Sequence, residues 1–450
     1  MKASAFLAIV LVLGFAFPGR AAPPNILIIT ADNLGYGDLR SYRPESPIPT
    51  PHLDRLAAEG ARLTSFYTAS PTCTVSRACL LTGRIPERHG LTQQLPGIEG
   101  NWGIGLGHEE NLIPQLLKKA PTPYATGCFG KWNIGFAEGS RPTERGFDEF
   151  FGHASGNIDY YTHNYNGKPD LYDGIEPVVR RGEYSTDLFA DAAIRFIQRK
   201  SDEAVPWFCY LPFNAPHFPN PRNKAEGEPN VWQAPDRAFA ALNLTPEESD
   251  PVKRYAAVVW ALDEAIGRVL DALEKAGAAD NTFVFFMSDN GAFLLNRKGL
   301  DVGNNDPLRS GGVTCWEGGL RVAAMARWPG KIVPGSVIDA PLWSPDLLPA
   351  AVALAGASLP NDGRVFNGQN PLPVLTGAEK KSPHQSLFFQ YGKHAALRMG
   401  DWKIVREKPD QPWALFDLGS DLGEKIDLAN SDPQRLASLV AEFARWQSTF

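Results

Sequence analysis

The sequence predicts an α/β fold built around buried, parallel β-strands. Three continuous apolar runs, at residues 25–31, 206–213 and 282–288, have the length and composition of strands that are covered on both faces of a sheet. From Val252 to Leu273, apolar residues recur at every third or fourth position, which is typical of an amphipathic helix packed on a sheet. With 450 residues, the chain has room for one large domain and a smaller one.

The N-terminal segment predicts export. Lys2 is followed by an apolar run at residues 6–17 that is shorter than a bilayer span, and small residues lead up to Ala21. We expect residues 1–21 to be a signal peptide that directs the protein to the periplasm or the medium, with no membrane attachment after its removal. The formal net charge of −6 argues against a nucleic-acid-binding protein.

Two of the predicted strands are followed by the same pair of polar residues. The first apolar run leads into Asp32 and Asn33. The third leads into Asp289 and Asn290. Open α/β sheets place their ligands at the carboxyl ends of the strands, and carboxylate and amide oxygens are ligands of calcium and magnesium. Turn formation explains one such pair, but the repetition at two strand ends favours a cation site.

A polar loop at residues 70–72 leads to Cys73 at the start of a short predicted helix that ends at Gly83. A thiol at this point lies near backbone N–H groups and the positive end of the helix dipole, which favours anionic chemistry. Arg77, one turn further on, can bind an oxyanion with its planar guanidinium. The alternative is a buried thiol on an ordinary helix, and the segment alone leaves both interpretations open.

The chain has five cysteines, an odd number for an exported protein. They are Cys73, Cys79, Cys128, Cys209 and Cys315. If Cys73 is free or modified, the other four allow up to two disulfides or remain buried thiols, and their spacing does not decide between these outcomes. The spacing also lacks a Cys/His zinc pattern.

Two further residues stand out for their local context. Lys131 lies between glycines at residues 130–135, where a surface turn is the alternative to a functional site. His217 lies between Pro216 and Pro219, just after the second apolar run, so its side chain is presented rigidly. A histidine can transfer protons near neutral pH, although a purely structural role is the alternative for a single histidine.

Helix boundary signals complete the pattern. Thr50 and the following proline predict the start of a helix that ends before Gly60. Residues 245–248 have the form of a capping box ahead of the long amphipathic helix. After a Pro- and Gly-rich connection at residues 359–377, strand-like runs predict a small antiparallel sheet, and Asp432 begins a last helix.

Taken together, these motifs resemble those of the type I sulfatases (arylsulfatases), a family of the alkaline phosphatase superfamily. The segment 73–84 is similar to the family signature Cys-x-Pro-Ser-Arg followed by Leu-Thr-Gly-Arg. The resemblance extends from Pro24 to the C-terminus, with the motifs in the same order. It implies a large mixed β-sheet between layers of helices, as in alkaline phosphatase, with a small C-terminal α+β subdomain. The implied units are a catalytic domain at 22–358 and the subdomain at 359–450.

The resemblance also implies a chemistry, the hydrolysis of sulfate esters of glycans or small aryl compounds. In the family, a maturation enzyme oxidises the signature cysteine to formylglycine, whose hydrated aldehyde attacks the sulfur. The catalytic residues that carry over are Cys73, Arg77, Lys131 and His217, with His217 as the candidate general acid. The carried-over ligands of calcium, with magnesium as the alternative, are Asp32, Asn33, Cys73, Asp289 and Asn290.

Four positions depart from the family pattern. Asn33 replaces an aspartate of the calcium site, Val75 replaces the signature proline, Asn133 replaces a histidine, and Gly312 replaces a sulfate-binding lysine. These changes remove charge and acid–base capacity, so weaker cation binding and altered chemistry are expected. Two other functions therefore stay open at this point: a phosphoesterase-like hydrolase, and a catalytically inactive homologue that binds anionic glycans.

Overall fold

A computed structural model of the chain describes residues 22–95, 105–219, 231–295 and 299–450. The predicted signal peptide at residues 1–21 lies outside these ranges. Within them, no helix combines the length and the apolar character needed to cross a membrane. All five cysteines are described, and each is a buried free thiol.

The described residues form eighteen β-strands and eleven α-helices. In chain order the strands are β1 (Asn25–Ala31), β2 (Ala61–Leu63), β3 (Phe66–Tyr67), β4 (Ala125–Lys131), β5 (Glu149–His153), β6 (Asn164–Tyr165), β7 (Lys168–Pro169), β8 (Tyr172–Asp173), β9 (Glu176–Pro177), β10 (Trp207–Pro212), β11 (Thr282–Ser288), β12 (Ala324–Arg327), β13 (Ser336–Ile338), β14 (Leu342–Trp343), β15 (Leu387–Tyr391), β16 (His394–Met399), β17 (Trp402–Arg406) and β18 (Ala414–Asp417). The helices are α1 (Pro51–Glu59), α2 (Cys73–Thr82), α3 (Pro86–His89), α4 (Ile113–Leu117), α5 (Ser185–Asp202), α6 (Asp236–Ala241), α7 (Pro251–Lys275), α8 (Glu317–Leu320), α9 (Leu347–Leu354), α10 (Leu372–Leu375) and α11 (Pro433–Gln447).

Ten of the strands form one mixed sheet in the order β13-β2-β12-β11-β1-β10-β4-β5-β8-β9. The central strands β11, β1, β10, β4 and β5 are parallel to their neighbours within this group. Strand β12 runs antiparallel to β11, which makes the sheet mixed. The large mixed sheet implied by the family resemblance is therefore confirmed.

The three apolar runs occupy the centre of this sheet as β1, β10 and β11. Strand β1 contributes to both faces, since Leu27 and Ile29 pack in one core while Ile26 and Ile28 pack in the other. Helices α5 and α7 cover the first face, and α2, α4 and α9 cover the second. Burial on both faces explains why these strands are continuously apolar rather than alternating.

The long amphipathic helix begins later than its capping-box pattern predicted. Residues 245–248 form a turn, and α7 starts at Pro251 with Asp250 as the N-cap, whose side chain accepts a hydrogen bond from the Val252 N–H. Asp250 followed by proline is itself a strong helix-start signal, so it takes the role assigned to Thr245.

Helix α1 begins and ends as predicted, but its first turn is capped from another element. The Thr50 side chain makes no capping hydrogen bond. Instead, the carboxylate of Asp263 on α7 accepts hydrogen bonds from the N–H groups of His52 and Leu53, at 3.1 and 2.8 Å. A carboxylate can satisfy helix N-terminal donors from any position in the sequence, which a local pattern does not reveal.

The C-terminal part forms a four-stranded antiparallel sheet in the order β15-β16-β17-β18, with α11 beside it. This confirms the small C-terminal sheet. Strand β15 was not predicted from the sequence, whereas β16, β17, β18 and α11 correspond to predicted segments. We keep the division into 22–358 and 359–450 as a proposal.

A cluster of buried charges joins the C-terminal sheet to α8 and to β3, which pairs with β14 in a separate two-stranded sheet. Lys403 on β17 contacts Glu317 Oε1 at 2.9 Å and Glu424 Oε1 at 2.7 Å. Glu317 Oε2 accepts a hydrogen bond from the Tyr67 hydroxyl at 2.6 Å and pairs with Arg321 at 3.3 Å. Glu424 Oε2 accepts from the Glu317 N–H at 2.7 Å. We call these five residues the junction cluster.

Candidate active site

The carboxyl ends of the parallel strands bring the predicted functional residues together. Asp32 follows β1, Asp289 follows β11, and Lys131 is the last residue of β4. Ala31 and Ser288 are paired in register, so the next residue of each strand lies at the same edge of the sheet. Helix α2 carries Arg77 to this edge from the second face of the sheet.

Asp32, Asp289, Arg77 and Lys131 form a buried network, which we call the site cluster. The Lys131 ammonium lies 2.5 Å from Asp32 Oδ2. Arg77 Nη2 lies 2.6 Å from Asp289 Oδ2 and 3.9 Å from Asp32 Oδ2, and Arg77 Nη1 donates to the Lys131 carbonyl at 3.0 Å. With two carboxylates and two cations, the cluster is electrically balanced as it stands.

The two asparagines lie against the carboxylates. Asn33 has a positive φ of 63°, a conformation that asparagine tolerates better than most residues. This turn directs its N–H to Asp289 Oδ1 at 3.1 Å. Asn290 donates from Nδ2 to Asn33 Oδ1 at 2.6 Å. Asn33 thus keeps an oxygen in the position implied for a cation ligand, but without a charge.

Two oxygens in this region have no hydrogen-bond partner among the described residues. They are Asp32 Oδ1 and Asn290 Oδ1, both buried. A buried acceptor without a partner costs about 1–3 kcal/mol, and an oxygen-only donor set suits a hard cation such as calcium. The described residues contain no group of three or more His, Cys, Asp or Glu side chains arranged for a metal. The donor set therefore fits a cation, but only two of its members are carboxylates.

Burial shapes the protonation of the cluster. It raises the pKa of Asp289 to about 6, with the nearby Asp32 charge adding to the rise and Arg77 opposing it. Burial also raises the pKa of the Cys73 thiol, with Lys131 as the largest opposing influence. The unmodified thiol is therefore protonated at neutral pH, which is unfavourable for a cysteine nucleophile.

Cys73 is the first residue of α2, and all ten residues of this helix are buried. Its Sγ contacts Gln94 Oε1 at 3.4 Å, and the Thr74 N–H donates to the same oxygen at 3.2 Å. Only 3% of the Cys73 surface is exposed. No sequence motif pointed to Gln94, because its contact with α2 depends on the path of the chain after α3.

His217 lies five residues beyond the end of β10. Its Nδ1 is 2.7 Å from the Phe218 carbonyl oxygen. Because a carbonyl only accepts hydrogen bonds, Nδ1 carries the proton, and Nε2 of the neutral ring is an acceptor. Burial and then the Lys131 charge lower the pKa of His217 to about 3. In the free protein, the His217 ring is thus neutral, with Nε2 as a hydrogen-bond acceptor, and acting as a general acid requires prior protonation.

A cavity of about 270 Å³ opens beside the site cluster. Three residues singled out from the sequence line it, namely Cys73, Asn133 and His217. Arg77, Lys131, Asp32 and Asp289 are buried and do not line the cavity, but their charges act on the Cys73 thiol that does. The lining also includes residues that sequence motifs did not reveal: Gln94, Asn157, Tyr165, Phe293, Val313 and Tyr391.

The four departures from the family pattern have distinct surroundings. Val75 is buried in the core shared with the C-terminal sheet. Asn133 has a φ of 54° and lines the cavity. Its buried Nδ2 has no hydrogen-bond partner among the described residues, so it can donate to a ligand. Gly312 lies against the Phe293 ring. Asn33 remains with the carboxylates, as described above.

Val313 adds backbone strain at the cavity. Its φ is 66°, a conformation that is rare for a β-branched residue. Its N–H donates to the Pro71 carbonyl at 2.9 Å, which ties this loop to the segment just before Cys73. Strained backbone of this kind costs about 1–3 kcal/mol and is found at functional sites.

The sequence of the chain is similar to those of several known proteins. Residues 24–357 match the family model described as Sulfatase. The mouse N-acetylgalactosamine-6-sulfatase is 33% identical over 445 residues, which covers 93% of this chain and 79% of that protein. The dog arylsulfatase G is 31% identical over 469 residues, with coverage of 91% and 82%.

A solved structure shows the same fold with a bound oligosaccharide. The crystal structure of Ps i-CgsB in complex with a neocarrahexaose superposes with a TM-score of 0.83 at 32% identity. The match covers 94% of this chain and 93% of that one. The agreement therefore includes both the large sheet and the C-terminal sheet.

Proposed function

Since the chain belongs to the sulfatase family, we propose that it hydrolyses the sulfate ester of a sulfated glycan at the Cys73 cavity. The observation that carries this proposal is the site cluster beside that cavity. Arg77 and Lys131 are fully buried cations beside a cavity that holds the Cys73 sulfur. Fixed cations at such a position stabilise the negative charge that builds up on sulfonate oxygens during transfer.

The proposed cofactors follow from the family and fit the donor set. Asp32, Asn33, Asp289 and Asn290 would hold calcium, or magnesium, together with the residue at position 73. Such a cation would supply Lewis-acid polarisation of a sulfate oxygen. A formylglycine derived from Cys73 would supply the hydroxyl nucleophile when hydrated.

The chain's own residues would bind and orient the sulfate and take part in proton transfer. Arg77 is held by Asp289 and by the Lys131 carbonyl, so its guanidinium is oriented before substrate arrives. Arg77 and Lys131 are each paired with a carboxylate, so the site would attract sulfate once a bound cation gives it a net positive charge. Nε2 of His217 is unprotonated in the free protein. A bound sulfate anion would raise the pKa of the ring toward neutral pH, so that it can take part in proton transfer.

The substrate class is inferred from the relatives and the cavity. One relative is named for N-acetylgalactosamine 6-sulfate, and a similar solved structure contains a neocarrahexaose. The cavity is lined by amide, hydroxyl and aromatic side chains, which are suited to hydrogen bonding and packing with sugar rings. A sulfated sugar is therefore the proposed substrate, with a formylglycine-generating enzyme as maturation partner and export as the route to it.

The test measures sulfate release and the mass of the peptide that carries residue 73. The exported protein should release sulfate from N-acetylgalactosamine 6-sulfate or a sulfated carrageenan oligosaccharide, and the peptide that carries residue 73 should have the mass of formylglycine. Cys73→Ala should abolish release, whereas Cys209→Ala, which removes a buried thiol in β10, should retain it. Hydrolysis that survives Cys73→Ala would contradict the proposal and favour a phosphoesterase-like mechanism.

A second candidate is a non-catalytic binder of anionic glycans. The amide of Asn133 at the cavity favours it, because an amide cannot exchange a proton near neutral pH. Tight glycan binding without sulfate release, in protein that carries formylglycine, would establish this second function instead.

A further inference from the structure

Phe293 forms one wall of the cavity beside His217. It follows the loop after β11 and is only partly buried, so one side of its ring faces the open space. The His217 and Phe293 rings meet edge to face at a centroid distance of 5.9 Å and an interplanar angle of 76°. This edge-to-face arrangement fixes the two rings relative to each other.

The Phe293 ring rests on the bare backbone of Gly312. A Cβ added at Gly312 would lie 2.1 Å from Phe293 Cδ1 and 2.3 Å from Cε1, which is far inside van der Waals contact. The Gly312 N–H also donates to the Ala292 carbonyl at 3.0 Å, so the two segments are tied together. The missing side chain at position 312 and the aromatic ring at position 293 therefore form a single packing unit.

The backbone that carries the ring is held on both sides. Asn305 accepts a hydrogen bond from the Ala292 N–H at 3.0 Å and donates to the Ala292 carbonyl at 2.9 Å. Asn305 itself is 4% exposed. A ring that is fixed before ligand binding loses little conformational entropy when a ligand packs against it.

The rest of the lining indicates what kind of group would meet this ring. None of the described residues that line the cavity carries a charged Lys, Arg, Asp or Glu side chain. Its polar members offer amide and hydroxyl groups, including Gln94, Asn157 and Tyr391. Beyond the sulfate, recognition here thus depends on packing and neutral hydrogen bonds, which match the apolar C–H face and the hydroxyl rim of a pyranose.

We infer that Phe293 is a stacking platform for the sugar ring that carries the sulfate, and so determines specificity for a cyclic sugar over a small sulfate ester. The inference rests on the proposed function, because it takes the scissile oxygen to face His217. With that oxygen at His217, the attached ring lies against the neighbouring Phe293. Gly312 is part of the platform, since any side chain there displaces the aromatic ring.

The test measures binding separately from turnover. In a Cys73→Ala background, calorimetric titration gives the affinities for N-acetylgalactosamine 6-sulfate and for inorganic sulfate. Their ratio is the contribution of the sugar. Phe293→Leu is compared with Phe388→Leu, which makes the same change at a partly buried phenylalanine on the C-terminal sheet. Phe293→Tyr keeps the aromatic face and checks that loss of binding reflects the ring rather than misfolding.

Phe293→Leu should lower the sugar-to-sulfate affinity ratio about 10-fold, equivalent to about 1.4 kcal/mol. Phe293→Tyr and Phe388→Leu should leave the ratio within about 2-fold. A ratio that is unchanged in Phe293→Leu, or close to one before any change at Phe293, would overturn the platform. Sulfate release by the protein with Cys73 intact is scored independently, so a platform that binds sugar without turnover overturns only the proposed function.

Discussion

The site cluster and the junction cluster are both buried networks of two acidic residues and their cations, yet their oxygens are satisfied differently. In the junction cluster, every carboxylate oxygen of Glu317 and Glu424 lies beside a cation or a hydrogen-bond donor, although Glu424 Oε1, at 2.7 Å from Lys403, makes an ion pair without a hydrogen bond. At the site, Asp32 Oδ1 and the neighbouring Asn290 Oδ1 have no partner among the described residues.

This difference is the one expected between a structural network and a ligand-binding network. Burial of charge is expensive in both places, and ion pairs offset part of that cost in both. At the site, Asp32 Oδ1 and Asn290 Oδ1 remain as unpaired acceptors, which a bound ligand would pair. The protonation states do not divide in the same way: although burial opposes it, Lys403 and Arg321 lower the pKa of Glu317 to about 2, whereas burial raises the pKa of Glu424 to about 7 and that of Asp289 to about 6.

The largest expected effect is the loss of the junction cation. Lys403→Met leaves Glu317 and Glu424 facing each other in a buried space, so we expect the free energy of unfolding to fall by about 3–5 kcal/mol. Urea denaturation measures it. The exposed Lys393→Met should change this free energy by no more than about 0.5 kcal/mol. A change below about 1 kcal/mol for Lys403→Met would show that the buried ion pairs of Lys403 do not stabilise the fold.

Removing a charge at the site should affect activity and cation binding. Asp289→Asn keeps the shape and an acceptor for Arg77 but weakens the proposed cation site, so sulfate release should fall about 100-fold, or about 3 kcal/mol. We expect calcium to raise the thermal midpoint of the unchanged protein, and Asp289→Asn should abolish this increase.

Asp263→Asn is the matched control for this change. Asp263 is equally buried and caps α1 but lies outside the site. This variant should be less stable while keeping its response to calcium. An Asp289→Asn protein that still responds fully to calcium would remove Asp289 from the proposed ligand set.

The junction should also show a pH dependence with a defined sign. Burial raises the pKa of Glu424 from its ordinary 4.5 to about 7. Between these values the folded state holds a proton that the unfolded state has released, so this group's contribution to stability falls as pH rises from about 4.5 to about 7.

Glu424→Gln should remove this dependence. Relative to the variant, the unchanged protein should lose about 1–2 kcal/mol of unfolding free energy across that interval. Urea titrations at several pH values measure the difference between the two proteins. A difference that stays constant or grows with pH would show that Glu424 is already ionised in the folded state.

The smallest expected effect concerns strain at the site. Val313→Gly allows the positive φ without a steric penalty, and we expect a gain of up to about 1 kcal/mol in the free energy of unfolding. Val179→Gly, at an exposed valine, should give no gain. A loss of stability in Val313→Gly would mean that packing of the valine side chain outweighs the strain.

The sequence was most informative where the structure is most regular. Strands β1, β10 and β11 could be recognised because burial on both faces requires uninterrupted apolar residues. Asp32 and Asp289 could be placed together because parallel strands end at one edge. In each case the prediction depended on a local sequence pattern that is compatible with only one kind of structure.

Residues that act across the fold could not be recognised in this way. The capping carboxylate of Asp263 lies more than 200 positions from α1 in sequence. Gln94 and Phe293 reach the cavity from loops, whose paths depend on the packing around them. The Gly312 departure looked like a simple loss from the sequence, and its packing against Phe293 appears only in three dimensions.

Because α2 is completely buried, any enzyme that modifies Cys73 must act before folding is complete. The ten residues of α2 lie between the large sheet and the C-terminal sheet, so an enzyme that must bind the peptide around Cys73 has no access once both sheets are in place. The proposed oxidation of this cysteine would therefore compete in time with folding. Slower folding would increase the fraction of molecules that carry formylglycine.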